Sequence, residues 1–591
     1  MSNLISFLNS SKFAKSSKLQ QLKIILPSSL LWFFAGFDLS LLPLFSAEVG
    51  KLYFPSDNPQ ISILAVYGTF SLSLLMRVFG GMYLGRLGDR YGRKPVIIIS
   101  SWFLTIIMII TAYLPSDYTS NYVNYTNNYV TYLTILFVIT RALIGFFVGG
   151  LWPTAAVLAM ENLHWNKFEK NNNGEKNAVP HNEEWKGWET RWEKWNNDFE
   201  KEVKRLTFQS SLLQVGYFLG YLVSALLLIL YGGNIINGDI IKHLTFPTIM
   251  HMDSDFPLWR SMSFFAGFFQ LVLTLFCIKY LHESNKWKEW NEEWKEWMKK
   301  KQKDAKLYRP GITSLLENKK YRETLFSFWL ILTGLMYMYY STIITAPELF
   351  LRDKVGEATD VISKQILQPM GGFFVFLLIM MAVAHIWVGI IFYFAWKHPS
   401  FRSRLKKALS PKGILCMMSR IRYLFLKLIG YDHKSNNKEY EESSNEKSDD
   451  LDVRLTIFLG FVLLIPMGIV GSLFFHMQPP DNKSGVYAVV YTGIVILFAN
   501  AGWALIPAML SSRFPIHVRS TGASLAYNGG LVIGFASPFI IIESSLILKS
   551  EYLIFVAMIL GAASMIIGGR RLMRIINQNE KLKEDVNKNL E

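Results

Sequence analysis

The sequence predicts an all-α integral membrane fold with twelve transmembrane helices, on three observations. Of its 591 residues 51% are hydrophobic and 18% charged, and the mean hydropathy is positive. The apolar residues are gathered into blocks of about 20, and at ~1.5 Å per helical residue such a block crosses a hydrocarbon core of ~30 Å. The blocks are separated by polar segments, short or long, that hold most of the charge. Only helices and closed barrels satisfy their backbone groups in lipid, and blocks of this length are helices.

In chain order the spans fall at 24–47, 61–84, 95–114, 130–160, 207–231 and 259–281, then at 323–346, 367–396, 453–476, 486–510, 519–544 and 551–569. A Ser-rich, Lys-bearing segment, 1–23, precedes the first and reads as an N-terminal tail rather than a cleavable leader. It carries Lys12, Lys15, Lys18 and Lys23 and no acid, whereas the loop after the third span, 115–129, has neither Lys nor Arg. By the positive-inside rule both termini are then cytoplasmic. The C-terminal tail, 570–591, agrees, with Arg570, Arg571, Arg574, Lys581 and Lys583. Three long polar segments, 162–206, 282–322 and 397–452, fall on the same side, and 397–452 reads as a disordered insertion because its 432–452 stretch is rich in Asn, Ser, Lys and Glu. The expected setting is a multi-pass protein of the plasma membrane or an organelle membrane.

Sixty-one basic against 45 acidic residues give a net charge of +16, and its placement beside the spans argues for a lipid partner and against nucleic acid. Cys277 and Cys416 show no metal-ligand spacing. With no phosphate loop, metal cluster or nucleophile–base pair, the sequence suggests neither an enzyme nor a cofactor.

The second span runs into a short loop as Arg77-Val-Phe-Gly-Gly-Met-Tyr-Leu-Gly85-Arg-Leu-Gly-Asp89-Arg90-Tyr-Gly92-Arg93-Lys94-Pro95. Placed between the second and third of twelve spans, this resembles the Gly-x-Leu-x-Asp-Arg-x-Gly-Arg-Lys signature of the major facilitator superfamily. Further stretches are similar to that family: Arg141 to Pro153 with Gly145 and Gly149, ending at Glu161; Trp259-Arg260; His282-Glu283-Ser284-Asn285-Lys286-Trp287; and Phe514-Pro515-Ile516-His517-Val518-Arg519-Ser520-Thr521-Gly522 with Tyr527-Asn528. The last run resembles the sialate and metabolite proton-symporter branches. The usual second copy of the signature after span eight is replaced by the insertion 397–452, where only Arg420-Ile421-Arg422-Tyr423 is similar, and Ser512 stands where relatives carry an acid.

The resemblance implies two six-helix bundles, 24–281 and 323–569, joined by the linker 282–322 around a central cavity. It also implies secondary active transport by alternating access: proton-coupled symport of a small organic acid or related metabolite, with a uniporter or exporter on the same fold as the alternative and a non-transporting receptor as a more distant one. The expected cytoplasmic gate comprises Gly85, Asp89, Arg90, Gly92, Arg93, Lys94, Glu161, Glu283 and Arg519. Arg77 joins it either as a gate contact or as a snorkelling arginine.

Charges inside the membrane are costly and mark functional sites by default. Asp38 in span one and Arg141 in span four both lie ~13–17 Å below the outer face by helical rise, so they are positioned to pair. The resemblance gives them a role in coupling a proton to substrate; the alternative is a permanent structural ion pair. His385 in span eight reads as hydrogen-bonded into the packing. Finally, Trp185, Trp188, Trp192, Trp195 and Phe199 in one loop, and Trp287, Trp290, Trp294 and Trp297 in another, form apolar stripes about 80° wide on charged helices. Such helices either lie on the inner leaflet or pack together as a hairpin, and they are the expected site of any cytosolic or membrane-surface contact.

Overall fold

The computed structural model describes residues 25–33, 37, 49–57, 59–114, 127–171, 192, 195–200, 210–232, 258–299, 311–340, 364–410, 413–414, 416, 450–476, 484–532 and 552–588. Each of the twelve predicted spans contains helical residues. Six helices among the described residues are long and apolar enough to cross a membrane.

The first half contains α1 (Pro59–Tyr91), α2 (Arg93–Ala112), α3 (Asn127–Asn171), α4 (Val215–Gly232) and α5 (Leu258–Tyr280). A linker holds α6 (Asn285–Lys299) and α7 (Ile312–Glu317). The second half contains α8 (Lys319–Tyr340), α9 (Lys364–Lys397), α10 (Pro399–Ala408), α11 (Leu451–His476), α12 (Ser484–Arg513), α13 (519–532) and α14 (Tyr552–Lys588).

Within the first half α3 packs on α1 and α2, and α5 on α2. Within the second, α8 and α11 pack on α14, and α9 and α11 on α12. Contacts of α4 with α9 and of α3 with α12 join the halves. Small residues set how close helices come, because in lipid association depends on backbone approach. Thus Gly145 and Gly149 of α3 lie directly against the backbone of Ser73 and Arg77 in α1, where a Cβ would collide.

Three boundaries differ from the sequence reading. The insertion 397–452 is not disordered throughout: α10 forms within it, started by Pro399 at its first turn and ended by Lys406 and Lys407, each suited to its position on the helix dipole. The tail 570–591 continues α14 as helix to Lys588, since its Leu, Glu, Lys and Arg residues are good helix formers. In the linker, α6 begins where the Ser284 hydroxyl accepts the Trp287 N–H (3.2 Å), an N-cap that the Trp stripe alone did not reveal. Residues 420–423, 432–449, Trp185 and Trp188 lie outside the described residues.

Candidate functional site

The face of α1 that carries Gly81, Gly85 and Gly88, spaced i, i+4, i+7, lies against α13 of the opposite half. A Cβ at Gly85 would stand 2.9 Å from the Thr521 Cα, and one at Gly88 would stand 2.8 Å from the Ser520 hydroxyl. This approach brings Asp89, fully buried, to the N-terminus of α13. Its Oδ1 accepts the Ser520 N–H (2.9 Å); its Oδ2 accepts the Thr521 N–H (2.8 Å) and the Thr521 hydroxyl (2.6 Å). A carboxylate from one half thus caps a helix of the other, where free N–H groups and the dipole favour negative charge.

Beside it, Gly92 (φ +113°) makes the turn that separates α1 from α2 in a conformation open to glycine. Arg93 leaves that turn fully buried. Its Nη2 lies 3.5 Å from Asp89 and 3.3 Å from Glu161 Oε1, and it donates to the Ile516 carbonyl at 2.9 Å. The same Glu161 oxygen accepts Arg519 Nη1 at 2.9 Å. Two acids and two guanidinium groups therefore balance in a site closed to water, which a buried cluster needs in order to offset its desolvation.

A second shell of groups comes from the tryptophan loops. Asn196 Oδ1 accepts Arg519 Nη2 (2.9 Å) and the Ile516 N–H (3.2 Å). Arg519 lies over Phe199 (4.0 Å to the ring centroid) and Arg93 over Trp287 (5.3 Å). Trp192, Trp287 and Trp290 bury together with Ile516, and Trp192 Nε1 donates to Glu293 (2.9 Å). Of the two uses the sequence left open, the described tryptophans thus pack on each other, and in doing so they cover the 514–519 turn. Replacing Trp192 with Phe removes one hydrogen bond and some ring area, a loss of about 1–1.5 kcal/mol. We expect a cysteine introduced at the buried position Ile516 to be labelled roughly 5–10-fold faster in that variant; an unchanged rate would show that Trp192 does not hold this cover down.

Glu283 sits at the edge of the cluster. Its Oε2 accepts the Lys94 N–H (2.8 Å) at the start of α2, and its Oε1 accepts the Ser284 N–H (2.9 Å). Burial raises its carboxyl above the usual carboxylate range, against the pull of Arg93, so this arrangement binds that proton more tightly than one in which Glu283 meets water. His517, stacked on Trp290, responds in the opposite sense. Burial, with Arg519 beside it, lowers it from 6.5 to about 3, so on acidification a solvated His517 would take up a proton that this arrangement refuses.

Towards the middle of the bundle the halves line a partly open cavity. The first half lines it with Trp32, Arg77, Gln214, Tyr217 and Phe218, the second with Met336, Tyr339, Asn500, Trp503 and Tyr527. Between cavity and cluster, Asn528 donates to the Gly149 carbonyl (2.7 Å) and Trp152 packs on Tyr527 (centroids 4.6 Å apart). Tyr217 and Tyr339 are hydrogen-bonded through their hydroxyls, again across the halves.

Comparison with known proteins bears directly on this arrangement. The sequence profile of the Major Facilitator Superfamily matches residues 25–163, which hold the α1–α2 turn and Glu161. A solved proton:xylose symporter bound to a bromodeoxyglucose superposes with a TM-score of 0.56 over 95% of this chain and 97% of that one, at 13% identity. A partially occluded, inward-open form of the xylose transporter from E. coli gives 0.51 over 94% and 97%, also at 13% identity. Over residues 25–163 this chain is similar to the Major Facilitator Superfamily, and its fold is that of the solved xylose symporter.

Among curated proteins, the shikimate transporter of Escherichia coli is 36% identical over 115 residues, 20% of this chain and 24% of that protein. The proline/betaine transporter of the same organism is 30% identical over 125 residues, 21% and 23% respectively. These matches therefore span about a quarter of the relatives' length.

The predicted site residues fare differently. Asp89, Arg93, Glu161 and Arg519 come together, with Gly85 and Gly92 shaping the approach and Glu283 and the Lys94 backbone at the edge. Arg90 does not join: it is exposed and lies over the Tyr91 ring (5.2 Å), because one residue along a helix turns the side chain by about 100° away from Asp89. Arg77 neither snorkels nor meets the cluster; it is buried in the cavity wall. Arg141 is buried against the Phe137 ring (5.4 Å), while Asp38 lies outside the described residues. His385 is hydrogen-bonded from Nδ1 to the Met381 carbonyl (2.9 Å), in line with the packing reading.

A second charge cluster escaped the sequence reading. Arg513 pairs with Glu200 of the first insertion (2.5 Å) and with Asp452 of α11 (3.0 Å), and Asp450 pairs with Arg454 (3.0 Å). The run Asp450-Leu-Asp452-Val-Arg454, alternating acid and base at the start of a span, was the available signal.

Proposed function

We propose that this protein is a proton-coupled symporter of a small organic acid, working by alternating access. The observation that carries the reading is the pairing of a cavity between two halves with a buried charge network at one end. That network consists of side-chain and capping contacts between the two halves, so breaking it need not unfold either. The basic residues of the tails and long loops make this end the cytoplasmic one, and the network is then the inner gate in its closed state. The relatives named as shikimate, proline/betaine and proton:xylose carriers support a small-molecule cargo, and the last supports proton coupling.

Asp38 and Arg141 are the proposed coupling pair. Protonating the carboxylate would release the arginine and deprotonating it would restore the attraction, so the proton's presence would be communicated between the two predicted spans. One variant separates exchange from accumulation. In proteoliposomes Asp38→Asn, which mimics the protonated acid, should keep exchanging solute across the membrane but lose uphill accumulation under an inward proton gradient. If Asp38→Asn still concentrates solute as the wild type does, the proton is carried elsewhere, and His385 is the next group to test.

A further inference from the structure

The cavity contains one feature that the symport reading does not use. Arg77 is 3% exposed, lines the cavity, and forms no ion pair or hydrogen bond among the described residues; its Nε is a buried donor with no acceptor. A guanidinium cannot shed its proton at physiological pH, and a buried cation without a counter-charge is strongly unfavourable unless something supplies that charge. The described lining contains no Asp or Glu. A second donor, the indole Nε1 of Trp503, is likewise buried without an acceptor. The remaining wall is largely aromatic: Trp32, Tyr217, Tyr339 and Tyr527 join Trp503, and their centroids lie about 6 Å from one another, as between Trp32 and Tyr217 (6.0 Å) or Trp503 and Tyr527 (6.0 Å).

We propose that this cavity binds a ring-bearing monocarboxylate, with Arg77 receiving the carboxylate and the aromatic walls holding the ring. The inference rests on the transport reading and narrows its cargo. Arginine suits the role because its planar fork matches a carboxylate with two parallel hydrogen bonds. The charge balance selects the ligand class: a monoanion neutralises the Arg77 guanidinium, whereas a neutral sugar or a zwitterion leaves a net positive charge enclosed. The walls select for a flat or cyclic body, since aromatic faces gain by stacking on rings and little by surrounding a two-carbon acid.

Equilibrium binding to the purified full-length protein in nanodiscs tests this without any transport step. Benzoate and cyclohexanecarboxylate should bind at least ~30-fold more tightly than acetate, methyl benzoate or glycine betaine, the gap expected when a charge-assisted pair or a ring contact is missing. Arg77→Gln should weaken benzoate by ~100-fold and bring it level with methyl benzoate, while Arg77→Lys should recover part of the loss. The proposal is overturned if acid and ester bind alike to the wild type, a comparison that needs no variant. It is also overturned if acetate or betaine matches benzoate, if no ring acid binds, or if folded Arg77→Gln keeps the benzoate affinity. Benzoate binding without proton-driven movement of any solute would instead count against the symport reading and leave the site standing; uphill transport of some other solute that benzoate does not inhibit would do the reverse.

Discussion

Replacing Glu161 with Gln should open the charged end of the molecule. One Glu161 oxygen receives both Arg519 (2.9 Å) and Arg93 (3.3 Å), and all three side chains are fully buried or nearly so. The amide keeps the shape but removes the charge, leaving two guanidinium groups to share Asp89, which lies 3.5 Å from Arg93. Breaking a buried pair by removing one partner costs about 3–5 kcal/mol. That penalty falls on the closed arrangement alone, because separated halves expose both arginines to water. A gate poised largely closed would become largely open, since a shift of ~5.5 kcal/mol takes a two-state population from 99:1 to 1:99. A cysteine placed at Ser524, buried in α13, should accordingly react faster with an impermeant maleimide applied from the charged end, by roughly two orders of magnitude or more. An unchanged rate would mean that the cluster does not hold the halves together.

Asp89→Asn should act in the same direction with a smaller effect. The carboxylate accepts three hydrogen bonds from Ser520 and Thr521. An asparagine retains one acceptor oxygen and turns an NH₂ group towards donors that need an acceptor. Losing a charged cap and one or two hydrogen bonds to it amounts to about 2–3 kcal/mol. The variant should therefore favour the inward-open state, read as increased cysteine labelling of the cavity from the charged side and decreased labelling from the other. Equal accessibility from both sides in mutant and wild type would exclude Asp89 as a gate residue.

Much of this site was legible in the chain because its parts are local patterns. The signature around Asp89 and Arg93, the terminal Glu161 of span four and Arg519 after the Phe-Pro turn were all readable as charges at span ends. What could not be read was whom they meet. Asp89 binds backbone N–H groups of α13, and a backbone donor leaves no mark in composition. Asn196 and Glu200, from an insertion expected only to be amphipathic, complete the coordination of Arg519 and Arg513. For Arg77, depth along a helix is legible but the direction it faces is not, and it turns into the cavity wall. The spans themselves were easier to find because each must satisfy its own backbone. The tryptophan helices show in their apolar stripes, but which surface those stripes meet does not, because the other tryptophan loop lies about one hundred residues away.

Uptake into proteoliposomes tests coupled transport most directly. Wild-type protein would be offered monocarboxylates, sialic acid, aromatic acids and sugars, each with and without an inward proton gradient. The account predicts that an organic acid accumulates inside above its external concentration only when the gradient is present, and that a protonophore abolishes the excess. Uptake that reaches the same level with and without the gradient for every solute would contradict it.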